Sequence, residues 1–182
     1  NLNYQKLIEI KNNSRKILMV GRLSRTKGIF DLPKIINNLS LNKVDWELNI
    51  AGIGHKKDID LFKDELKKYN LEDRVNILGY VSEEKKWELL ISSKIFILTS
   101  HEEGFSIVTQ EALMARCRIV AYKLDSLNSL FHNYDIHFIN KFNKIDFSQK
   151  VDELLNKPYP AYNNNIEVQS WDDLATKHFA EI

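Results

Sequence analysis

The sequence predicts one α/β domain built as a three-layer, doubly wound parallel sheet, and three observations carry that prediction. Five short apolar runs rich in β-branched residues end in turn or polar signals: KILMVG at 16–21, WELNIAG at 46–52, RVNILG at 74–79, KIFILTS at 94–100 and RIVAY at 118–122. Runs of that kind suit strands buried on both faces. Between them lie stretches with helical periodicity, and strand and helix alternate at least four times over short connections. That alternation is the signature of a parallel sheet with right-handed crossovers.

The elements follow in order. After the first strand, Ile29, Leu32, Ile35, Ile36 and Leu39 recur at helical spacing. So do Ile59, Phe62, Leu66 and Tyr69 after the second, Trp87, Leu90 and Ile91 after the third, and Val108, Ala112, Leu113 and Ala115 after the fourth. Each set gives a helix one apolar face with which to cover a sheet. Beyond Tyr122 the pattern weakens to one further strand, DIHFI at 135–139, and one further helix, Phe147 to Asn156. KPYPAYNNN at 157–165 carries proline and asparagine breakers and reads as an extended linker. Ser170 then caps a closing helix, WDDLATKHFAEI, with two acids in its first turn and Trp171, Leu174 and Phe179 to bury. The order of the strands in the sheet is not readable.

Composition narrows the function. With 26 basic against 25 acidic side chains, the chain has no field-wide reason to bind nucleic acid. The single Cys117 excludes an internal disulfide and a multi-cysteine zinc site; its neighbours Arg116 and Arg118 would lower its pKa only if it were exposed, and a filler cysteine is the expectation. The longest apolar runs, such as Ile95 to Leu98, are too short to span a bilayer, and the first residues lack a signal-peptide core, so the cytoplasm is expected.

In an open parallel sheet, ligands sit outside the carboxyl ends of the strands, which directs attention to three loops. GRLSRTKG at 21–28 follows the first strand and is expected to open a helix at its far end. Gly21 and Gly28 permit tight turns, and Arg22 and Lys27 supply two cations suited to a phosphate or diphosphate; the same residues would also serve as a solvated basic turn, with Arg25 a bystander. The loop matches neither the Walker nor the G-x-G-x-x-G spacing. AGIGHK follows the second strand, where Gly52 and Gly54 would let a ligand approach the backbone or simply make a turn. HEEGFSIVTQEAL at 101–113 is the most informative: Glu103 in the loop, Gly104 free to take positive φ, then Phe105, Ser106 and Ile107 opening a helix with Glu111 about two turns in. A carboxylate at a helix start is ordinary dipole chemistry, which accounts for Glu102 and partly for Glu103. Glu111, flanked by Val108, Ala112 and Leu113, is expected to be buried and therefore to need a partner, such as a ribose diol.

GRLSRTKG, AGIG, LGYV at 78–81 and the two glutamates separated by seven residues in EGFSIVTQE together resemble the C-terminal domain of family 4 glycosyltransferases of the GT-B fold. The resemblance covers Lys16 to Ala121 well and the closing helix loosely. It implies a Rossmann-like donor-binding domain at 16–157, with residues 1–15 an interdomain linker remnant and 158–182 a linker and C-terminal helix. Arg22 and Lys27 would then hold the diphosphate and stabilise the leaving group, a role that could replace a metal; no metal site or cofactor is expected. Glu111 would bind ribose and Glu103 the donor sugar, with backbone N–H groups of Gly104, Phe105 and Ser106 on sugar or phosphate oxygens; Ile107 completes that strip. The base would lie by Gly79, Tyr80 and Val81, and Gly21 and Gly52 would belong to the nucleotide-sugar site. The implied partners are a nucleoside diphosphate sugar, UDP- or GDP-linked, and an N-terminal acceptor domain, with peripheral association of the whole enzyme at the inner face of the plasma membrane. The implied reaction is retaining hexosyl transfer to a cell-surface glycan or lipid-linked acceptor, and the alternative is a noncatalytic nucleotide- or phosphate-binding module.

Departures from the family pattern cluster after Glu111. A glycine and a proline usual before the next strand are Arg116 and Arg118 here, the proline–glutamate pair after it becomes KLDSLNSLF, and a glycine-rich segment becomes HNYDIHFIN. They bear on the donor-sugar side more than on the nucleotide side.

Overall fold

The computed structural model describes residues 4–40 and 45–159. Six strands, β1 (Lys16–Val20), β2 (Glu47–Ala51), β3 (Val75–Gly79), β4 (Ile95–Leu98), β5 (Arg118–Tyr122) and β6 (Ile136–Ile139), form one sheet in the order β3-β2-β1-β4-β5-β6. Every pairing is parallel. The connecting helices are α2 (Leu32–Ser40), α3 (Lys56–Lys68), α4 (Glu83–Ser92), α5 (Ile107–Met114), α6 (Asp125–Phe131) and α7 (Lys144–Asn156), and α1 (Tyr4–Asn13) precedes β1. The doubly wound three-layer sheet is therefore as the sequence predicts.

Strand alternation sorts the core into two halves. Ile17, Met19, Leu48, Ile50, Ile95, Ile97, Val120 and Tyr122 face α2, α3 and α7, meeting Ile35, Leu39, Phe62, Leu66, Phe147 and Val151. Leu18, Phe96, Leu98, Ile119 and Ala121 face α4, α5 and α6, meeting Leu90, Ala112, Leu127 and Phe131. α5 and α6 have only 8 and 7 residues, too short to be helical alone. Burial of each large apolar side chain contributes about 1.5–3 kcal/mol, so tertiary packing holds them.

The structure adds detail to several expectations. Within the segment read as linker, residues 4–13 are helical, with Ile8 and Lys11 buried against α4. α6 forms in a stretch without a periodic apolar pattern. α2 begins at Leu32, not directly after Gly28, because residues 24–31 make successive turns in which Gly28 N–H bonds Arg25 O and Asp31 N–H bonds Gly28 O. Cys117 is buried, and burial pushes its thiol up; the cation beside it is Lys11, not either arginine. Lys11 Nζ lies 3.2 Å from Cys117 Sγ and donates to the carbonyls of Leu90 (2.6 Å) and Ser93 (2.5 Å), closing the end of α4. The expected closing helix after Ser170, with Trp171, Leu174 and Phe179, lies outside the described residues.

Candidate functional site

The chain runs from β1 outward to β2 and β3, then returns to place β4 on the other side of β1. The reversal falls between β1 and β4, and sheets of this kind bind ligands outside the carboxyl ends of the strands at that point. The flanking loops are 21–31 and 99–106, two of the three singled out from the sequence.

Backbone contacts lock these loops together. Gly28 has φ of 71°, and a Cβ there would lie 1.9 Å from Thr99 O, so only glycine allows the approach. Thr99 Oγ1 donates to Lys27 O at 3.1 Å, and His101 N–H donates to Thr26 O at 2.8 Å. The result is direct contact between two predicted site residues: Lys27 Nζ donates to Glu103 Oε1 at 2.6 Å, with the Glu103 side chain 9% exposed. Ser100 Oγ donates to the same oxygen at 2.7 Å, and Ser126 Oγ of α6 donates to Glu103 O at 2.6 Å. Behind the pair, Asp31 joins His101 Nε2 (2.8 Å) and Lys144 Nζ (2.7 Å), binding the β4 loop to α2 and α7.

On the β2–β3 side, Gly21 N–H bonds Ala51 O, Leu23 N–H bonds Ile53 O, and Gly52 N–H bonds Gly79 O, so three strand ends lie side by side. Gly52, with φ of 146°, has no room for a Cβ because Gly21 O would be 1.8 Å away. The close approach that glycine permits here is that of the Gly21 loop. Arg22 is exposed at the end of β1. Tyr80 and Ile53 are largely exposed beyond β3 and β2, and Val81 is half-buried.

The segment around α5 differs in detail. Gly104 does not take positive φ, and the helix starts at Ile107 with Ser106 as its N-cap residue, Oγ 2.7 Å from Thr109 Oγ1. Phe105 and Ile107 are exposed at its mouth. Glu111 is buried as expected, but its partner is in the protein: Lys86 Nζ of α4 donates to Glu111 Oε1 at 2.7 Å and reaches Glu83 Oε2 at 2.8 Å. Burial alone would lower the Lys86 pKa; the two carboxylates more than reverse this and raise it. Sequence reading missed Lys86, although it stands four residues before the buried Leu90 and so shares its face of α4.

The two arginine departures have structural employment. Arg116 takes φ of 56° at the end of α5, where Cys117 N–H bonds Ala112 O and Arg116 N–H bonds Leu113 O, the Schellman pattern that usually selects glycine. Arg118 donates to Leu154 O and Pro158 O at 2.7 Å each and to Lys157 O, and its guanidinium lies 4.1 Å from the Tyr159 ring centroid.

A cavity of about 970 Å³ lies at the opposite edge, between α1 and the amino ends of β1 to β3, lined by Lys6, Glu9, Lys16, Trp46, Glu47 and Arg74 among others. It contains none of the predicted site residues, and its mixed charges define no ligand.

The family model for glycosyl transferases group 1 matches residues 3–169. The chain belongs to the glycosyl transferases group 1 family. An uncharacterized glycosyltransferase of Methanocaldococcus jannaschii is 26% identical over 182 residues, covering 96% of this chain and 46% of its own. The chain thus spans less than half the length of that relative. Among solved structures, a point mutant of S. aureus TarM in complex with fondaparinux, alpha-GlcNAc-glycerol and UDP aligns with a TM-score of 0.72 at 23% identity, over 80% of this chain and 29% of that chain. The C-terminal domain of a group 1 glycosyl transferase (LpcC) from Francisella tularensis aligns at 0.69 and 20% identity, over 86% of this chain and 84% of that domain. These likenesses establish the shared fold, a Rossmann-like half of the GT-B type. Among the described residues of this group 1 glycosyltransferase chain, no helix is long and apolar enough to cross a membrane.

Proposed function

We propose that this chain is the C-terminal, donor-binding half of a retaining family 4 glycosyltransferase, which moves a hexose-type sugar from a nucleoside diphosphate sugar to a glycan or lipid-linked acceptor in cell-surface polysaccharide synthesis. The observation that carries the reading is the Lys27–Glu103 pair at the switch point, with the Arg22 cation on the same rim. The TarM complex, whose structure contains UDP, supports a nucleotide-sugar donor.

In this reading Lys27 uses one of its three N–H groups on Glu103 and keeps two for a diphosphate oxygen. As the bond between the anomeric carbon and the phosphate oxygen breaks, negative charge grows on the diphosphate, and Arg22 and Lys27 stabilise it in place. Glu103, immobilised by Lys27 and Ser100, faces the donor sugar, and the backbone N–H groups of Gly104, Phe105 and Ser106, leading into α5, serve sugar or phosphate oxygens. Glu111 takes the ribose; Gly79, Tyr80 and Val81 border the base. The N-terminal acceptor domain completes the cleft, and the assembled enzyme works at the inner face of the plasma membrane.

Titration calorimetry with UDP and GDP tests this. One of them binds, and Lys27→Ala and Glu111→Ala each weaken it about 10- to 100-fold, the range for a lost charge-assisted hydrogen bond. Absence of binding by either nucleotide refutes the donor-binding assignment. The catalytic part fails separately if the chain joined to its N-terminal partner domain turns over no nucleotide sugar.

A further inference from the structure

Glu111 is a buried carboxylate with a cation already on it, and this bears on how it can recognise a ribose. Its side chain is 10% exposed, and Lys86, 14% exposed, reaches it across the α4–α5 interface. Such a pair is not there by surface chance: taking a carboxylate out of water is costly unless a counter-charge and good geometry accompany it. Lys86 engages Oε1 at 2.7 Å, which restrains the carboxylate through one of its two acceptor oxygens. The Lys86 ammonium is itself held from the other side by Glu83 at 2.8 Å, a residue whose side chain is 77% exposed. α4 and α5 both begin at the carboxyl edge of the sheet, so this Glu83–Lys86–Glu111 chain runs along the rim of the proposed nucleotide site.

We infer that Lys86 is a positioning residue for ribose recognition: by holding Oε1 of Glu111, it presents Oε2 as a charged acceptor to the ribose hydroxyls and so sets the preference for a ribonucleotide over a deoxyribonucleotide. The inference rests on the donor-binding reading above. Glu83 steadies Lys86 from solvent and is dispensable, since an exposed partner contributes little.

The test compares UDP and GDP with their 2′-deoxy and 3′-deoxy counterparts by calorimetry on the 182-residue chain. The wild type binds a ribonucleotide about 10-fold more tightly than a deoxy analogue, the scale of one charge-assisted hydrogen bond. Glu111→Gln reduces that ratio. Lys86→Met, which keeps length and apolar stem but removes the cation, brings the ratio to about one while leaving deoxynucleotide affinity within about twofold. Lys86→Arg restores discrimination, and Glu83→Gln leaves it unchanged. A merely structural Lys86 would weaken both ligands alike and keep the ratio, which overturns the inference. So does a Lys86→Met chain that discriminates as the wild type does while Glu111→Gln does not. If the wild type binds no nucleotide, the donor-binding reading falls and takes this inference with it; if it binds but discrimination is insensitive to Glu111, only the ribose assignment and this inference fail.

Discussion

Arg116 holds a left-handed conformation, φ 56°, at the point where α5 turns into β5. A side chain with a Cβ incurs about 1–2 kcal/mol there, a cost glycine escapes. Arg116→Gly should therefore unfold with a free energy about 0.5–1 kcal/mol higher than Arg116→Ala after glycine's greater unfolded-state freedom is counted, measurable by urea denaturation; equal stabilities of the two variants would mean that the turn relaxes out of the left-handed region. Gly28→Ala tests the opposite case. Its φ is positive, and the new Cβ would meet backbone, Thr99 O, at 1.9 Å. The substitution should cost roughly 2 kcal/mol or more and pull Lys27 away from Glu103, so diphosphate affinity should fall together with melting temperature. Residues of this kind were legible in part. Lys27, Glu103 and Glu111 stand out because each lies just beyond a recognisable strand or on a recognisable apolar helix. Lys86 and Ser126 do not, since their partners are 25 and 23 residues away and only the fold brings them together.

At the scale of elements, what the sequence discloses depends on how much of an element is buried. β1, β2, β4 and β5 are almost wholly inside and read directly as apolar runs. α1 inserts only Ile8 and Lys11 among its described side chains, and a buried lysine reverses the usual signal. The same reversal occurs at the end of α7, whose last carbonyls are taken by cations from three other places. Arg15 and Lys94 both donate to Leu155 O at 2.7 Å, and Arg118 takes Leu154 O. Cations at a helix C-terminus are favourable, but crowding and burial carry a penalty. Burial first, then the charges of Arg118 and Arg15, depress the Lys94 pKa to about 8. Between that value and the ordinary lysine value of about 10.4, the unfolded chain binds more protons than the folded one, so this group's contribution to stability rises with pH. Below about pH 8 both states are protonated and the penalty is fully present. Lys94→Met removes the titration while Arg15 still satisfies Leu155 O. The stability difference, wild type minus Lys94→Met, should then increase from pH 8 to pH 10 by parallel denaturation series; a flat difference would mean that Lys94 is as well solvated folded as unfolded.

For the whole molecule, local patterns specify the layers and the succession of strands but not their order, because every crossover between buried parallel strands has the same local appearance. The site depends on that order. Only when β4 returns beside β1 do the loops after them meet, so Lys27 and Glu103, 76 residues apart, form one ion pair. Among the described residues, two candidate regions lie at opposite edges of one sheet: the loops at the carboxyl edge and the cavity of about 970 Å³ at the amino edge. Hydrogen exchange on the intact chain separates them. A ligand that binds only the folded state stabilises it by about 2.7 kcal/mol at 100 times its dissociation constant, and the protection is greatest where local opening would break the contact. Saturating UDP or GDP should slow exchange in residues 21–31 and 99–111, which carry Arg22, Lys27, Glu103 and Glu111, and leave 13–16, 45–47 and 73–76 unchanged. Protection confined to the second set would move the nucleotide site to the amino edge, where none of the four residues could touch it.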